Sequence, residues 1–407
     1  MVNRFERRHI VSDQSAASNR SETQPNPDLA VADTGFVAWN VPDRRRAAFR
    51  KLRDIVRWGI TIRAPEVRTL RKEIEYRIGD LESVRRLTNA EMFCALVVTT
   101  RDGNIAYEKY APDFPPDQLH CLQSISKTTA ALMMGKLAEE GRIDLSRSVG
   151  QYLPEIGSGY AEATIQQVLD MDVINNFTED YSDPYSTVYL SEAAMGWRCA
   201  PAGQEAPTMR EFLTGITSDD IRNPGGECHY KSANTDVLGW VIERVSGRSL
   251  RDHLVDIAEA AGIEHVMFMS TDREFTPILS GGIALTARDL ARYGMLFLTG
   301  GAGVGGAVVG SKAFLDAARA NRGTKRPDGF HYSNQIVSNG RWVGHGGYGG
   351  QWMLADESAG AAVAFFSVLE NASASDTDYN ADRIAMADDI VNVVARRRKQ
   401  RKGDAYS

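Results

Sequence analysis

The sequence predicts an α+β fold in which both ends of the chain contribute strands to one antiparallel sheet. Two β-prone runs, 94–99 and 105–107, flank Asp102-Gly103, which is the signature of a hairpin. The middle of the chain, from about 145 to 280, has helical periodicity and long loops, and β-prone runs return only after it. This order predicts a sheet with a helical insertion beside it, and a cleft between two such units is a common place for a site.

The individual elements follow from hydrophobic spacing and from stop signals. The predicted helices cover 43–58, 128–140, 236–245, 285–297 and a last stretch through 384–394 that ends in basic residues. Asn234 or Thr235 fits the N-cap of the third helix, and Gly141 and Gly247 fit the ends of the second and third. The returning strands are predicted near 341–343, 351–354 and 361–368.

These elements divide the chain into predicted regions. Residues 1–40 are rich in polar residues and proline, so we expect an extended or disordered arm. Residues 41–125 and 281–400 would form an α/β subdomain that holds the antiparallel sheet, and 126–280 a mainly helical subdomain. The active-site cleft would lie between the two subdomains.

Composition excludes several classes of function. The chain has 407 residues and a net charge of −6, which argues against nucleic acid as a partner because phosphate binding requires an excess of basic residues. Its four cysteines are scattered without a Cys-x-x-Cys pair, and no histidine pair has metal-ligand spacing. We therefore expect no disulfide framework, no metal and no cofactor.

The sequence also bears on location and partners. The N-terminal stretch has no apolar segment behind its charges, and the chain has no run of 18 apolar residues. We expect a cytoplasmic protein that binds a small molecule rather than a membrane. The oligomeric state stays open, with a homodimer as one option.

The strongest chemical signal is a Ser-x-x-Lys pattern, Ser124 to Lys127, at the start of the second predicted helix. A serine hydroxyl attacks a carbonyl only if a base accepts its proton, and a buried, partly desolvated lysine three residues later can be that base. Ser126 is a rival nucleophile, but adjacent helical residues diverge by about 100°, so Ser124 is preferred. The spacing alone is close to a chance match in a chain of this length.

Two further segments that could contribute to the same site follow later in the chain. Tyr230 precedes the 236–245 helix, and a phenol beside an ammonium group becomes more acidic, so it could carry a proton to a leaving group. The glycine-rich segment around His345, from 344 to 350, would let the backbone approach a ligand closely and supply an oxyanion donor. Each element alone has a simple structural explanation, as an N-cap loop and a turn.

Together, Ser124-x-x-Lys127, Tyr230-x-Ser232 and His345-Gly346-Gly347 resemble the three motifs of the β-lactamase and penicillin-recognising superfamily, in its class C, D-aminopeptidase and carboxylesterase branch. Longer strings are similar to the 6-aminohexanoate-dimer hydrolases, which are amidases of nylon oligomers. These strings are 179–184, Gly196-Trp197, 230–238 and 285–292, and the similarity runs from about residue 40 to the C-terminal region.

The resemblance implies a β-lactamase-like fold and a role for each matching residue. Ser124 would be the nucleophile, Lys127 its general base and Tyr230 the third catalytic residue, with Ser232 in its hydrogen-bond network. The backbone N–H groups of Ser124 and Tyr348 would hold the oxyanion. Substrate contacts would come from the side chains of Tyr181, Glu192, Trp197 and His345. Tyr181 would bond the scissile amide nitrogen, and Glu192 stands where the family can place an aspartate that receives an ammonium group.

Three functions remain open at this stage. The first is a cofactor-free serine hydrolase that cleaves small linear amides or short esters through an acyl-enzyme. The second is a β-lactamase, a D-amino-acid peptidase or a carboxylesterase of the same fold. The third is a catalytically silent binding protein on the same scaffold.

Overall fold

The computed structural model describes residues 39–404, except positions 182, 184, 201, 202 and 322. Nearly all of the predicted N-terminal arm lies outside this range, so its conformation stays a prediction. The described chain has the predicted α+β architecture, with a nine-stranded sheet, a four-stranded sheet and helices around them.

The strands are β1 Gly59–Ile62, β2 Arg71–Lys72, β3 Phe93–Thr100, β4 Asn104–Tyr110, β5 His120–Cys121, β6 Met267–Ser270, β7 Ile283–Leu285, β8 Thr324–Lys325, β9 His331–Ser333, β10 Ile336–Ser338, β11 Val343–Gly346, β12 Trp352–Asp356 and β13 Ala361–Ser367. The large sheet has the order β2-β4-β3-β13-β12-β11-β10-β9-β8, and the small sheet has the order β1-β6-β7-β5. All pairings are antiparallel except that of β2 with β4.

The α-helices are α1 Pro42–Arg50, α2 Leu52–Ile55, α3 Tyr76–Asp80, α4 Glu82–Thr88, α5 Thr128–Glu139, α6 Val149–Tyr152, α7 Ser158–Ala161, α8 Ile165–Leu169, α9 Val188–Ala194, α10 Met209–Thr214, α11 Ser232–Ser246, α12 Leu250–Ala261, α13 Ala287–Met295, α14 Lys312–Asn321 and α15 Thr377–Asp404. Short 3₁₀ helices span Gln123–Lys127, Leu296–Leu298 and Val304–Gly306.

The centre of the large sheet is buried on both faces. Along β3, Val97 belongs to one hydrophobic core, and Leu96 and Val98 belong to a second. Since successive strand residues point to opposite faces, the two cores lie on either side of the sheet. Helix α13 packs in the first core and the C-terminal helix α15 in the second. Strands from both ends of the chain thus meet as β3 and β13, as the sequence predicts.

Some element boundaries differ from the sequence-based prediction. The helix predicted at 43–58 breaks at Lys51, which has φ −126° and ψ 39°, and continues only as the short α2. Helix α11 begins at Ser232 and its N-cap is Lys231, so the prediction of Asn234 or Thr235 as N-cap was wrong. Asn234 is instead a buried residue of the first turn, where it accepts a hydrogen bond from the Tyr160 hydroxyl at 2.8 Å.

The structure brings the Ser124 segment and the glycine-rich segment 344–350 together. The 3₁₀ helix Gln123–Lys127 follows β5 and runs directly into α5. The end of β11 lies against it: a Cβ added to Gly347 would stand 2.4 Å from the Leu122 carbonyl oxygen. Glycine at this position therefore allows two backbone segments, more than 200 residues apart in sequence, to touch.

No described helix is both long and apolar enough to cross a membrane. Within the same part of the chain, no group of three or more His, Cys, Asp or Glu side chains is arranged to hold a metal ion. The division into two subdomains remains a prediction, and the region 126–280 also contains strand β6.

Candidate active site

Ser124 and Lys127 lie on one face of the 3₁₀ helix that precedes α5. A 3₁₀ helix has three residues per turn, so residues i and i+3 are aligned and the Lys127 side chain reaches back to the serine. Lys127 Nζ lies 3.0 Å from Ser124 Oγ. Ser126 points elsewhere, and its hydroxyl accepts a hydrogen bond from the Ile283 N–H at 3.2 Å.

The residue before the serine has an unusual backbone conformation. Gln123 has a φ of +51°, in the left-handed region that a residue with a side chain rarely occupies. This bend turns the chain from β5 into the 3₁₀ helix and sets Ser124 at the wall of the cavity. Strain of this type is concentrated at functional sites.

Lys127 is fully buried, and three oxygens surround its amine. Besides Ser124 Oγ, they are Ser232 Oγ at 3.0 Å and the Ser280 carbonyl oxygen at 2.6 Å. Burial lowers the pKa of Lys127 from 10.5 to about 8, against the opposing charges of Glu179 and Asp236. A substantial fraction of the amine is therefore neutral near pH 8 and able to accept a proton from Ser124.

Glu179 is a site residue to which the sequence analysis gave no role. Its carboxylate accepts the Ser232 N–H at 2.5 Å and the Ser232 hydroxyl at 2.8 Å. The acid therefore caps the N-terminus of α11 and fixes the direction of the Ser232 hydroxyl. With its hydrogen directed to Glu179, Ser232 Oγ presents a lone pair to Lys127. The only sequence signal for a role of Glu179 was its place in the string 179–184 that resembles the amidase family.

Asp236, one turn further along α11, supports the lysine from another side. Oδ1 accepts the Ser280 N–H at 3.1 Å, which orients the carbonyl group bonded to Lys127. Burial raises the pKa of Asp236 to about 6, although hydrogen bonding to Ser280 and the charge of Lys127 oppose the rise. No sequence pattern distinguishes this aspartate from an ordinary acid in the first turn of a helix.

Tyr230 lines the cavity beside the serine, and its ring centroid lies 5.1 Å from Lys127 Nζ. The expected acidification of the phenol is wrong. Burial, with a smaller effect from Glu179, raises the pKa of Tyr230, and hydrogen bonding to Ser124 only partly offsets it. The free phenol therefore stays protonated and can donate its hydrogen.

His345 lies in β11, and both of its ring nitrogens have partners. Nε2 lies 3.1 Å from the Tyr332 hydroxyl, and Nδ1 lies 2.7 Å from the Gly346 carbonyl oxygen. Burial lowers the pKa of the imidazole to about 3, so the ring is neutral at physiological pH. These contacts make His345 a rigid part of the cavity wall rather than a base.

Tyr348 follows in the turn after β11. Its N–H has no acceptor among the described residues. Ser124 is the second residue of its 3₁₀ helix, so its N–H precedes the first intrahelical hydrogen bond. Both residues line the cavity, so both N–H groups remain available as hydrogen-bond donors to a molecule bound there.

The remaining predicted residues surround the mouth of the cavity. Tyr181 is about one-third exposed, and its ring packs on Tyr348 with centroids 5.1 Å apart. Glu192, on α9, is buried and bonded to Arg198 Nε at 3.0 Å. Burial raises the pKa of Glu192 against the attraction of Arg198. The Trp197 indole N–H donates to Ser270 Oγ at 3.0 Å.

One cavity of about 500 Å³ connects these groups. It is lined by Ser124, Tyr181, Glu192, Trp197, Tyr230, Ser232, His345 and Tyr348, together with Trp39, Gln123 and Glu179, which the sequence analysis did not assign to the site. Lys127 lies below the lining, behind Ser124 and Ser232. All residues named from the sequence therefore meet at one place.

The chain is similar to known proteins over most of its length. A beta-lactamase family model matches residues 84–388. The chain is 34% identical over 301 residues to the 6-aminohexanoate-dimer hydrolase of Paenarthrobacter ureafaciens, which covers 72% of this chain and 74% of the relative.

Among the solved structures that share the fold are two hydrolases. A 6-aminohexanoate-dimer hydrolase homologue from Bacillus anthracis has a TM-score of 0.73 at 21% identity, covering 87% of this chain and 95% of that one. A D-stereospecific amidohydrolase from Streptomyces sp. has a TM-score of 0.53 at 18% identity, covering 76% and 98%. The family model spans most of the chain and contains Ser124, Lys127, Tyr230 and Tyr348, and the chain therefore belongs to the beta-lactamase family.

Proposed function

We propose that this protein is a serine amidase that cleaves small linear amides of the 6-aminohexanoate-dimer type, and short esters, through an acyl-enzyme. The observation that carries the proposal is the 3.0 Å contact between Ser124 Oγ and a buried lysine whose pKa is about 8. The 34% identity to a 6-aminohexanoate-dimer hydrolase supports the choice of substrate class.

The first half of the reaction acylates the enzyme. Neutral Lys127 takes the proton of Ser124, and Oγ bonds to the substrate carbonyl carbon. The carbonyl oxygen becomes an anion that accepts hydrogen bonds from the Ser124 and Tyr348 N–H groups. The C–N bond then breaks, and the departing amine takes a proton from the Tyr230 phenol, which is regenerated by the proton held on Lys127.

The second half of the reaction hydrolyses the acyl-enzyme and releases the carboxylic acid product. A water molecule attacks the acyl carbon and loses its proton to Lys127, the bond to Ser124 Oγ breaks, and the serine recovers its proton. Tyr181, at the cavity mouth, is in our proposal the group that accepts or donates a hydrogen bond at the amide nitrogen. Esters lack this nitrogen, so their cleavage would depend less on Tyr181.

We expect Ser124→Ala to abolish hydrolysis of a p-nitrophenyl butyrate ester while the protein remains folded. In the described chain, the only other hydroxyl that contacts Lys127 and faces the cavity is that of Ser232. Its hydrogen is bonded to Glu179, so Ser232 cannot replace Ser124. Loss of rate should be at least about 10⁴-fold. The matched control is Ser126→Ala, which removes a buried hydroxyl from the same turn. An unchanged rate in Ser124→Ala would refute the mechanism.

A substrate panel separates the alternatives. Linear ω-amino amides, p-nitrophenyl esters, D-amino-acid amides and a chromogenic cephalosporin are offered to the wild-type protein, and the acyl-enzyme is sought by intact mass. Preference for the cephalosporin or the D-amino-acid amides would replace the present substrate class. Absence of turnover and of any acyl-enzyme would favour a silent binding protein. The homodimer and the cytoplasmic location stay predictions that light scattering and cell fractionation can test.

A further inference from the structure

We propose that the segment from Trp39 through α1 is a wall of the catalytic cavity, and that Asn40 and Arg45 are positioning residues that hold Tyr348. This inference rests on the proposed function, since Tyr348 matters there as an oxyanion donor. The segment lies entirely outside the residues that the family model matches, 84–388, so nothing in the family match assigns it to the site.

The contacts to Tyr348 are direct. The Asn40 side-chain amide donates a hydrogen bond to the Tyr348 hydroxyl at 3.2 Å. The Arg45 guanidinium lies over the Tyr348 ring, 5.8 Å from its centroid. The phenol is thus held at its tip by an amide and across its face by a cation, which are two independent restraints on one side chain.

Arg45 also connects this segment to the large sheet. It is fully buried. Its Nη1 donates to the carbonyl oxygens of Leu369 and Asn371 at 2.6 and 2.8 Å, just past the end of β13. Nε and Nη2 donate to the side-chain and backbone oxygens of Asn40, both at 2.9 Å. The guanidinium therefore bridges Asn40 and the loop after β13.

The charge of Arg45 makes this bridge unusual. Arg45 forms no ion pair with a carboxylate of the described residues, and burial lowers its pKa although electrostatic attraction to Tyr348 and Glu370 opposes this. Burying a cation without a direct ion pair costs free energy, which here is offset by four hydrogen bonds to oxygens and by the Tyr348 ring. Such a costly group is expected where it fixes a geometry that the protein uses.

The same segment restrains the turn on its other side. Phe49, in α1, lies so close to Gly349 that an added Cβ would stand 2.6 Å from its ring, and Gly349 has a φ of +91°. Trp39 lines the cavity and contacts Trp197 edge-on, with ring centroids 5.1 Å apart. The turn that carries the Tyr348 N–H is therefore enclosed by Asn40, Arg45 and Phe49.

The test compares Asn40→Ala, Tyr348→Phe and the double variant as esterases. Rates are divided by the fraction of active sites that a fluorophosphonate titrates, so that misfolded protein does not count. We expect Asn40→Ala to lower kcat about 10-fold with KM changed less than about twofold, because a displaced donor weakens only the transition state. Tyr348→Phe removes the same hydrogen bond, so the double variant should lose no more than the larger single loss.

Arg44→Ala is the matched control, since Arg44 is an exposed residue of α1 in the same segment. A kcat for Asn40→Ala equal to that of Arg44→Ala would overturn the inference, and so would fully additive losses in the double variant or a loss confined to KM. These outcomes are separate from a failure of the proposed function, which would appear as retained activity in Ser124→Ala.

Discussion

At the residue scale, the reactivity that we propose for Ser124 depends on the balance of charge around one buried amine. Desolvation makes the neutral form of Lys127 more stable, whereas the carboxylates of Glu179 and Asp236 stabilise the ammonium form. The resulting pKa of about 8 leaves the lysine both a competent base and able to hold a proton during the reaction. Either acid can therefore tune the pH dependence of the enzyme.

This balance predicts a pH profile. Because the base must be neutral, kcat/KM should rise with pH with an apparent pKa near 8. In Glu179→Gln the charge that raises the pKa of Lys127 is gone, so the ascending limb should move to lower pH. The plateau should fall about 10-fold because the Ser232 hydroxyl loses its fixed direction. Stopped assays of an amide substrate from pH 5.5 to 10 measure both effects.

Glu192→Gln is the control for this prediction, since Glu192 lines the cavity but is not among the groups that shift the pKa of Lys127. Its ascending limb should coincide with that of the wild type. A limb for Glu179→Gln that stays in place or moves to higher pH would contradict the assignment of Lys127 as the titrating base.

At the element scale, the site depends on how closely the end of β11 approaches the 3₁₀ helix. Gly347 has room for hydrogen only, since a Cβ would stand 2.4 Å from the Leu122 carbonyl oxygen and 3.2 Å from the Gln123 Cβ. Its φ lies outside the left-handed region, so alanine is sterically excluded here by the backbone at the start of the 3₁₀ helix and not by its own conformation. The contact thus holds the turn that carries Tyr348 against the segment that carries Ser124.

Gly347→Ala should therefore push the two segments apart. We expect kcat to fall about 100-fold, because the oxyanion donors lose their alignment, and the free energy of unfolding to fall by about 1–3 kcal/mol from overpacking. Gly225→Ala is the control, because its nearest neighbour would lie 3.6 Å away, in ordinary contact. Ester kinetics and thermal unfolding of both variants measure the outcome. Full activity in Gly347→Ala would show that the approach is not required.

The sequence could predict elements whose signals are local. The β3–β4 hairpin follows from Asp102-Gly103, and α5 from its own periodicity and Gly141. The early start of α11 was not predictable, because its cap is Glu179, which lies 53 residues away. The roles of Asn40 and Arg45 were not predictable for the same reason, because their partners Tyr348 and Leu369 lie more than 300 residues further along the chain.

At the scale of the whole molecule, several buried ionisable groups make stability depend on pH. Burial lowers the pKa of His120 and of His345 to about 3, while it raises the pKa of Asp170 and of Asp236 to about 6. As pH falls below 6.5, the two histidines become protonated in the unfolded chain but stay neutral in the folded chain, which destabilises the fold. Over part of the same range the folded chain gains protons on the aspartates first, which acts in the opposite direction.

His120 allows one side of this balance to be isolated. Its ring stacks on Phe366 with centroids 4.5 Å apart, and the buried Nε2 has no hydrogen-bond partner among the residues that the structure describes. Its folded pKa lies below the unfolded value, so its contribution is complete above about pH 6.5 and is lost toward pH 3, at ~1.4 kcal/mol per pH unit. His120→Phe keeps the stacking and removes the titration. We therefore expect the variant, measured by urea unfolding from pH 7.5 to 4, to lose stability less steeply on acidification than the wild type. Parallel curves would mean that His120 takes up its proton in the folded protein as readily as in the unfolded chain.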